Sequence, residues 1–152
     1  MAIRFSNPKT LAKPPGYTNV VETAGPAKTV YFAGQLGIDI ENKFVGAPGD
    51  FRAQCIRAFE NMTLALKAAG ASWNDVVKIG NFLVGIEANM AVFREVRDRY
   101  LNAMAPPAST TIGVPALARP GGLFEIEAIA VLPPARAAAR RDRRKVKRRT
   151  RK

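Results

Sequence analysis

The segment Leu123–Leu132, LFEIEAIAVL, restricts the fold more than any other stretch of the chain. Side chains alternate across a strand, so Phe124, Ile126, Ala128, Ala130 and Leu132 share one face and Glu125, Glu127, Ile129 and Val131 share the other. The first face is wholly apolar and has to lie beneath a second layer. The second sets two acids beside two branched aliphatics, which is neither a core nor an ordinary wet surface. It fits a subunit interface with a polar site at its edge.

The layer for the apolar face is supplied by two amphipathic helices. Asp50 is a good N-cap and Gly70 a good stop, and between them Cys55, Phe59, Met62 and Leu66 recur at helical spacing. A second helix is expected over Glu87–Leu101, with Met90, Phe93, Val96 and Tyr100 as its stripe. Its acid, Glu87, lies in the first turn and Arg94, Arg97 and Arg99 come later, as the helix dipole favours. On this pattern Cys55 is a core residue.

Strands rich in β-branched and aromatic residues are expected at Thr18–Thr23 and Thr29–Gly34, joined as a hairpin by AGPAK, and at Gly37–Ile40. Val76–Val84 has the content of a buried strand, and Thr110–Val114 precedes the last one. Lys13–Tyr17, KPPGY, reads as an extended or turn segment because its prolines fix φ. The order βββ-α-β-α-ββ implies an α+β fold, a mixed sheet with two helices on one face.

The formal net charge of +12 belongs almost entirely to the end of the chain. From Arg136 onward there are eleven basic residues and one acid, Asp142, which leaves the rest at only +2. A globular domain over 1–133 followed by a basic, disordered tail over 134–152 accounts for this division. Residues 136–152 suit weak, nonspecific, salt-dependent contact with nucleic-acid phosphates, with no stacking aromatics to add selectivity. No run of apolar residues is long enough to span a membrane, and the N-terminus lacks the core of a secretory signal, so the expected location is the cytoplasm.

Histidine is absent and Cys55 is the one cysteine. That removes the commonest general base and leaves a zinc or copper site without ligands, so no metal is expected. Chemistry has to rest on carboxylates, hydroxyls, backbone groups, arginine or lysine. Ser109 has no histidine to activate it as a nucleophile.

Three blocks, VYFAGQLGID (30–39), FRAQCIRAFENMTLALKAAGASWNDVVK (51–78) and PAST…FEIEAIAVL (107–132), resemble the Rid (YjgF-type) family in order and spacing. Members show a strand ending in S-G-Q, an F-x-x-Q helix leading into D-V-V-K, then P-A-R and E-I-E-A-I-A. The resemblance implies a chorismate-mutase-like fold assembled as a homotrimeric barrel, with clefts between neighbouring subunits. In active relatives these clefts hydrolyse imines and enamines to a 2-oxo acid and ammonia, without metal or organic cofactor.

Carried over residue by residue, the family's cleft tyrosine matches Tyr17 and its water-positioning glutamate matches Glu125. The serine of S-G-Q is replaced by Ala33, ahead of Gly34, whose neighbouring amides are candidate ligand donors. The arginine of P-A-R, which grips the substrate carboxylate, is replaced by Ser109, and the F-N of relatives becomes Phe93-Arg94. Removing one partner of a buried charge pair costs about 2–5 kcal/mol. Arg94 and Arg119 are substitutes by charge alone. Three functions stay open: a deaminase using a Glu125-held water on a small imine, enamine or carbonyl compound, a noncatalytic ligand-binding trimer, and nucleic-acid association through the tail.

Overall fold

The computed structural model describes residues 1–134. The expected tail, and with it the contact of 136–152 with nucleic acid, lies outside the described residues apart from Pro134. Among the described residues no helix is long and apolar enough to cross a membrane.

The chain runs β1 (Ala2–Ser6), β2 (Val20–Ala24), β3 (Lys28–Leu36), α1 (Phe51–Ala68), β4 (Val76–Val84), α2 (Ile86–Arg97), β5 (Ala108–Val114) and β6 (Phe124–Leu132), with a short 3-10 turn at Trp73–Asp75. A four-stranded mixed sheet has the order β3-β6-β4-β5. Strands β4 and β5 are parallel, and β6 is antiparallel to both neighbours. Both helices cover one face, as the two apolar stripes require.

Several expected boundaries move. AGPAK is not a hairpin loop, because β2 pairs with β1 and β3 pairs with β6. Gly25 at φ 83° and Pro26 turn the chain away, and β6 offers β3 a longer alternating partner. The strand β1 escaped notice because its five residues carry no periodic signal long enough to read; Arg4 pairs there with Glu22 on β2. Gly37–Ile40 is not a strand. Only Ile38 bridges to Phe44, while the Asp39 carboxylate accepts from the Glu41 and Lys43 amides, both at 2.9 Å, and closes a turn. Helix α2 stops at Arg97, with Asp98 as its C-cap, although Tyr100 beyond it keeps its expected place in the core.

The core centres on Phe59 of α1, which stacks on Tyr100 at 4.9 Å and on Phe124 at 5.7 Å between ring centroids. Phe124, Ile126, Ala128 and Ala130 are all buried, so the apolar face of β6 lies against the helices as its alternation dictates. Burying such a side chain contributes roughly 1.5–3 kcal/mol. Two polar side chains of α1 fix the sheet from beneath. Gln54, 2% exposed, donates to the Gly121 carbonyl at 3.0 Å and accepts from the Leu123 amide at 2.9 Å. Asn61 donates to the Leu36 and Ile38 carbonyls at 2.9 and 2.8 Å. Gly37 packs so closely on α1 that a Cβ would meet the Gln54 backbone at 2.4 Å.

Gln54 therefore locates the chain entering β6, one residue before Phe124. Gln54→Leu keeps the volume but orphans two backbone groups, and is expected to lower unfolding free energy by about 2 kcal/mol in urea melts. A loss below about 0.5 kcal/mol would show that water takes over both bonds.

Candidate functional site

Glu125 and Glu127 lie on the face of β6 away from the helices, and each rests on a glycine of the neighbouring strand. A Cβ on Gly34 would stand 1.8 Å from Glu125 Oε1, and one on Gly80 would stand 2.6 Å from Glu127 Oε1. Along the β3–β6 ladder the register shifts between Phe32 and Gln35, so Ala33 and Gly34 form a bulge beside Glu127. Bulges re-aim side chains at the point where the ladder breaks. Here the bulge presents an exposed Ala33 and a bare Gly34 surface on which the Glu125 carboxylate lies. Neither carboxylate has a hydrogen-bond or ion-pair partner among the described residues, and Glu125 is half-buried.

The rest of that face is open. Tyr31 is 76% exposed, and Ile112 is also exposed. Tyr31, Ala33, Lys78, Glu127 and Ile129 border a shallow cavity of about 460 Å³. An exposed aromatic beside aliphatics and an unpaired acid is the mixed surface that the alternation of β6 implied.

Ser109 is not on this face. In the parallel ladder it pairs with Ile79, a core residue, and its hydroxyl accepts from Asn81 Nδ2 at 3.2 Å. Asn81 is 1% exposed and also donates to the Thr110 carbonyl and to Thr111 Oγ1. Ser109 thus looks toward the helix layer at the β5 edge, while Glu125 looks out of the opposite side of the sheet. Tyr17 belongs with Ser109. Its neighbour Thr18, 3% exposed, donates through Oγ1 to the Pro106 carbonyl at 2.6 Å and through its amide to the Pro107 carbonyl at 3.2 Å.

Within one chain, then, Ala33, Gly34 and Glu125 form one group and Tyr17 and Ser109 another, with the sheet between them. Arg94 joins neither by any ion pair among the described residues; it is exposed on α2. Arg119 is occupied elsewhere, donating to the Asn42 carbonyl and lying over the Phe44 ring at 5.3 Å. Cys55 is inert: burial pushes its thiol up to about 12, so no thiolate is available at neutral pH. Sequence reasoning missed Asn81, a polar residue inside VVKIGNFLV, whose position in an otherwise apolar strand was the available signal. It also missed Arg97, which it placed among the surface charges of α2 and which is in fact 7% exposed.

The sequence matches the family described as Endoribonuclease L-PSP over residues 9–132. The chain belongs to the Rid family. It is 35% identical over 112 residues to the 2-iminobutanoate/2-iminopropanoate deaminase of Bos taurus, covering 74% of this chain and 79% of that one. A RutC family protein of Pyrococcus abyssi is 37% identical over 101 residues, 66% of this chain and 76% of its own. Among solved structures, a Rid family protein of unknown function from Yersinia pestis superposes with a TM-score of 0.76 at 35% identity, covering 87% of this chain and all of that one. RidA from the Antarctic bacterium Psychrobacter sp. gives 0.62 at 35% identity, with 84% and 98% covered.

In this Rid protein Asn81 holds the edge strand β5 and the Ser109 hydroxyl to the centre of the sheet. Asn81→Ala should destabilise the fold by about 2 kcal/mol, the cost of orphaned buried partners. Amide exchange across β5 should accelerate more than across β6. Equal acceleration in both strands would contradict an anchoring role.

Proposed function

We propose that this Rid protein is a cytoplasmic homotrimer that takes up a small imine, enamine or carbonyl compound in clefts between subunits, and that it hydrolyses the imine with a water held by Glu125. The observation that carries this reading is the Glu125 carboxylate, unpaired and laid on Gly34 at the uncovered face of the sheet. A carboxylate so placed accepts a hydrogen bond from a water at no cost to any existing contact. The two halves of the candidate site lie on opposite sides of the sheet, so a pocket using both draws them from different copies. The relatives named as imine deaminases support the reaction type.

In that reaction the water oxygen bonds to the imine carbon while Glu125 takes its proton, and the nitrogen is protonated to give a carbinolamine. The C–N bond then breaks, ammonia leaves, and loss of the hydroxyl proton gives the carbonyl. One water is consumed for each ammonia released, with no change in oxidation state. Tyr17 shapes the pocket from the Ser109 side, and the amides beside Gly34 are free to donate to the ligand.

A second reading, binding without turnover, is favoured by one observation. Ala33 has no hydroxyl, and the Ser109 hydroxyl is already engaged by Asn81. The two readings separate on 2-iminobutanoate generated in situ. The hydrolytic one expects decay faster with protein than without, and loss of that acceleration in Glu125→Ala at unchanged melting temperature. Gly34→Ala should match it, because the new Cβ evicts the carboxylate. Decay unaffected by wild-type protein would leave the binding reading in its place.

A further inference from the structure

We propose that Arg97 supplies the guanidinium that Ser109 does not, and that the ligand it selects carries a carboxylate. This rests on the reading of the cleft above and deepens it by naming the class of ligand.

Arg97 is the last residue of α2 and is 7% exposed, whereas Arg94, Arg99 and Arg52 on the same pair of helices are surface residues. Its guanidinium lies 5.7 Å from the Phe93 ring centroid. On another side it is pressed against Gly16, where a Cβ would meet Nη2 at 2.5 Å. Gly16 has a φ of 84°, so glycine is required there both by the backbone and by the approach of the guanidinium. Tyr17 is the next residue. Thr18 then ties the segment to Pro106 and Pro107, just ahead of Ser109. The buried cation is thereby packed against the segment that carries one half of the candidate site.

Its hydrogen bonds are incomplete in a telling way. Arg97 donates from Nε and Nη2 to a single oxygen, Asp98 Oδ1, at 2.8 and 2.7 Å. No acceptor among the described residues meets Nη1. The buried side-chain polar atoms without a partner are Asn19 Nδ2 and Asn81 Oδ1, so Nη1 is not sealed inside the protein and reaches the surface. A guanidinium that served only to anchor the segment would be expected to have its whole fork paired, because buried donors without acceptors are costly. Arg97 instead keeps one edge held by its neighbour and offers the other. A planar fork fixed by packing loses little freedom on meeting a carboxylate, whose two oxygens match its geometry.

Asp98 is the opposing group in contact with Arg97. It sits at the C-cap, its side chain 63% exposed, and takes only the inner edge of the fork. It holds the guanidinium in one orientation without covering the outer edge. A neutral ligand gains little from such an edge. A 2-oxo or 2-imino acid gains a charged, directional contact close to Tyr17.

The test uses the stable product-like acid 2-oxobutanoate and its uncharged analogue 2-oxobutanamide, titrated calorimetrically into the full chain. Wild type is expected to favour the acid by at least roughly tenfold. Arg97→Gln should bring the two ligands to within about twofold, and Arg97→Lys should restore part of the preference. Retention of the acid preference by folded Arg97→Gln would overturn the role of Arg97 and leave the cleft reading standing. Should Arg97→Gln fail to fold, Gly16→Ala displaces the guanidinium without removing it and is judged in the same way. Wild-type protein that binds neither ligand would overturn both this inference and the reading beneath it.

Discussion

One strand with two dissimilar faces governs this structure. β6 lies between β3 and β4, and its inner face buries Phe124, Ile126, Ala128 and Ala130 against the helices. Those contacts fix the register, because a slip by one residue would drive Glu125 and Glu127 into the core. Once the register is fixed, the acids emerge on the outer face, and glycines at 34 and 80 are what allow them to lie flat on the sheet. The same packing that stabilises the fold therefore positions the carboxylate on which the proposed chemistry depends.

The sheet also divides the candidate site. Glu125 and the Ala33–Gly34 bulge open to one side, while Ser109, Tyr17 and Arg97 gather toward the helix side at the β5 edge. An exposed Tyr31 beside Ile129 gives the outer face apolar surface of the kind protein interfaces cover. A second copy seated there would place its own groups against Glu125. A pocket made in this way ties catalysis to assembly, since neither half can act alone.

Much of the fold was legible because the long elements are strongly periodic. The stripe of Cys55, Phe59, Met62 and Leu66 and the alternation after Leu123 are each consistent over several turns or residues. What escaped was decided by pairing rather than by pattern. β1 is five residues long, and β2 chose it over β3 through contacts no local window contains. The loop after Gly37 looked like a strand by composition, but Asp39 capped two amides and turned it. Of the candidate site, Glu125 was readable from its face. The separation of Ser109 from it was not, because which side of β5 faces the helices depends on the register against β4. Arg97 looked like one of several helix charges, and only the approach of Gly16 reveals its burial.

The mass of the purified chain in solution bears most directly on a site shared between copies. Sedimentation equilibrium across a wide concentration range is expected to give a single species of three 16.5 kDa chains. A stable monomer at every concentration would contradict the account, because the two groups of site residues would then stay on opposite sides of one sheet.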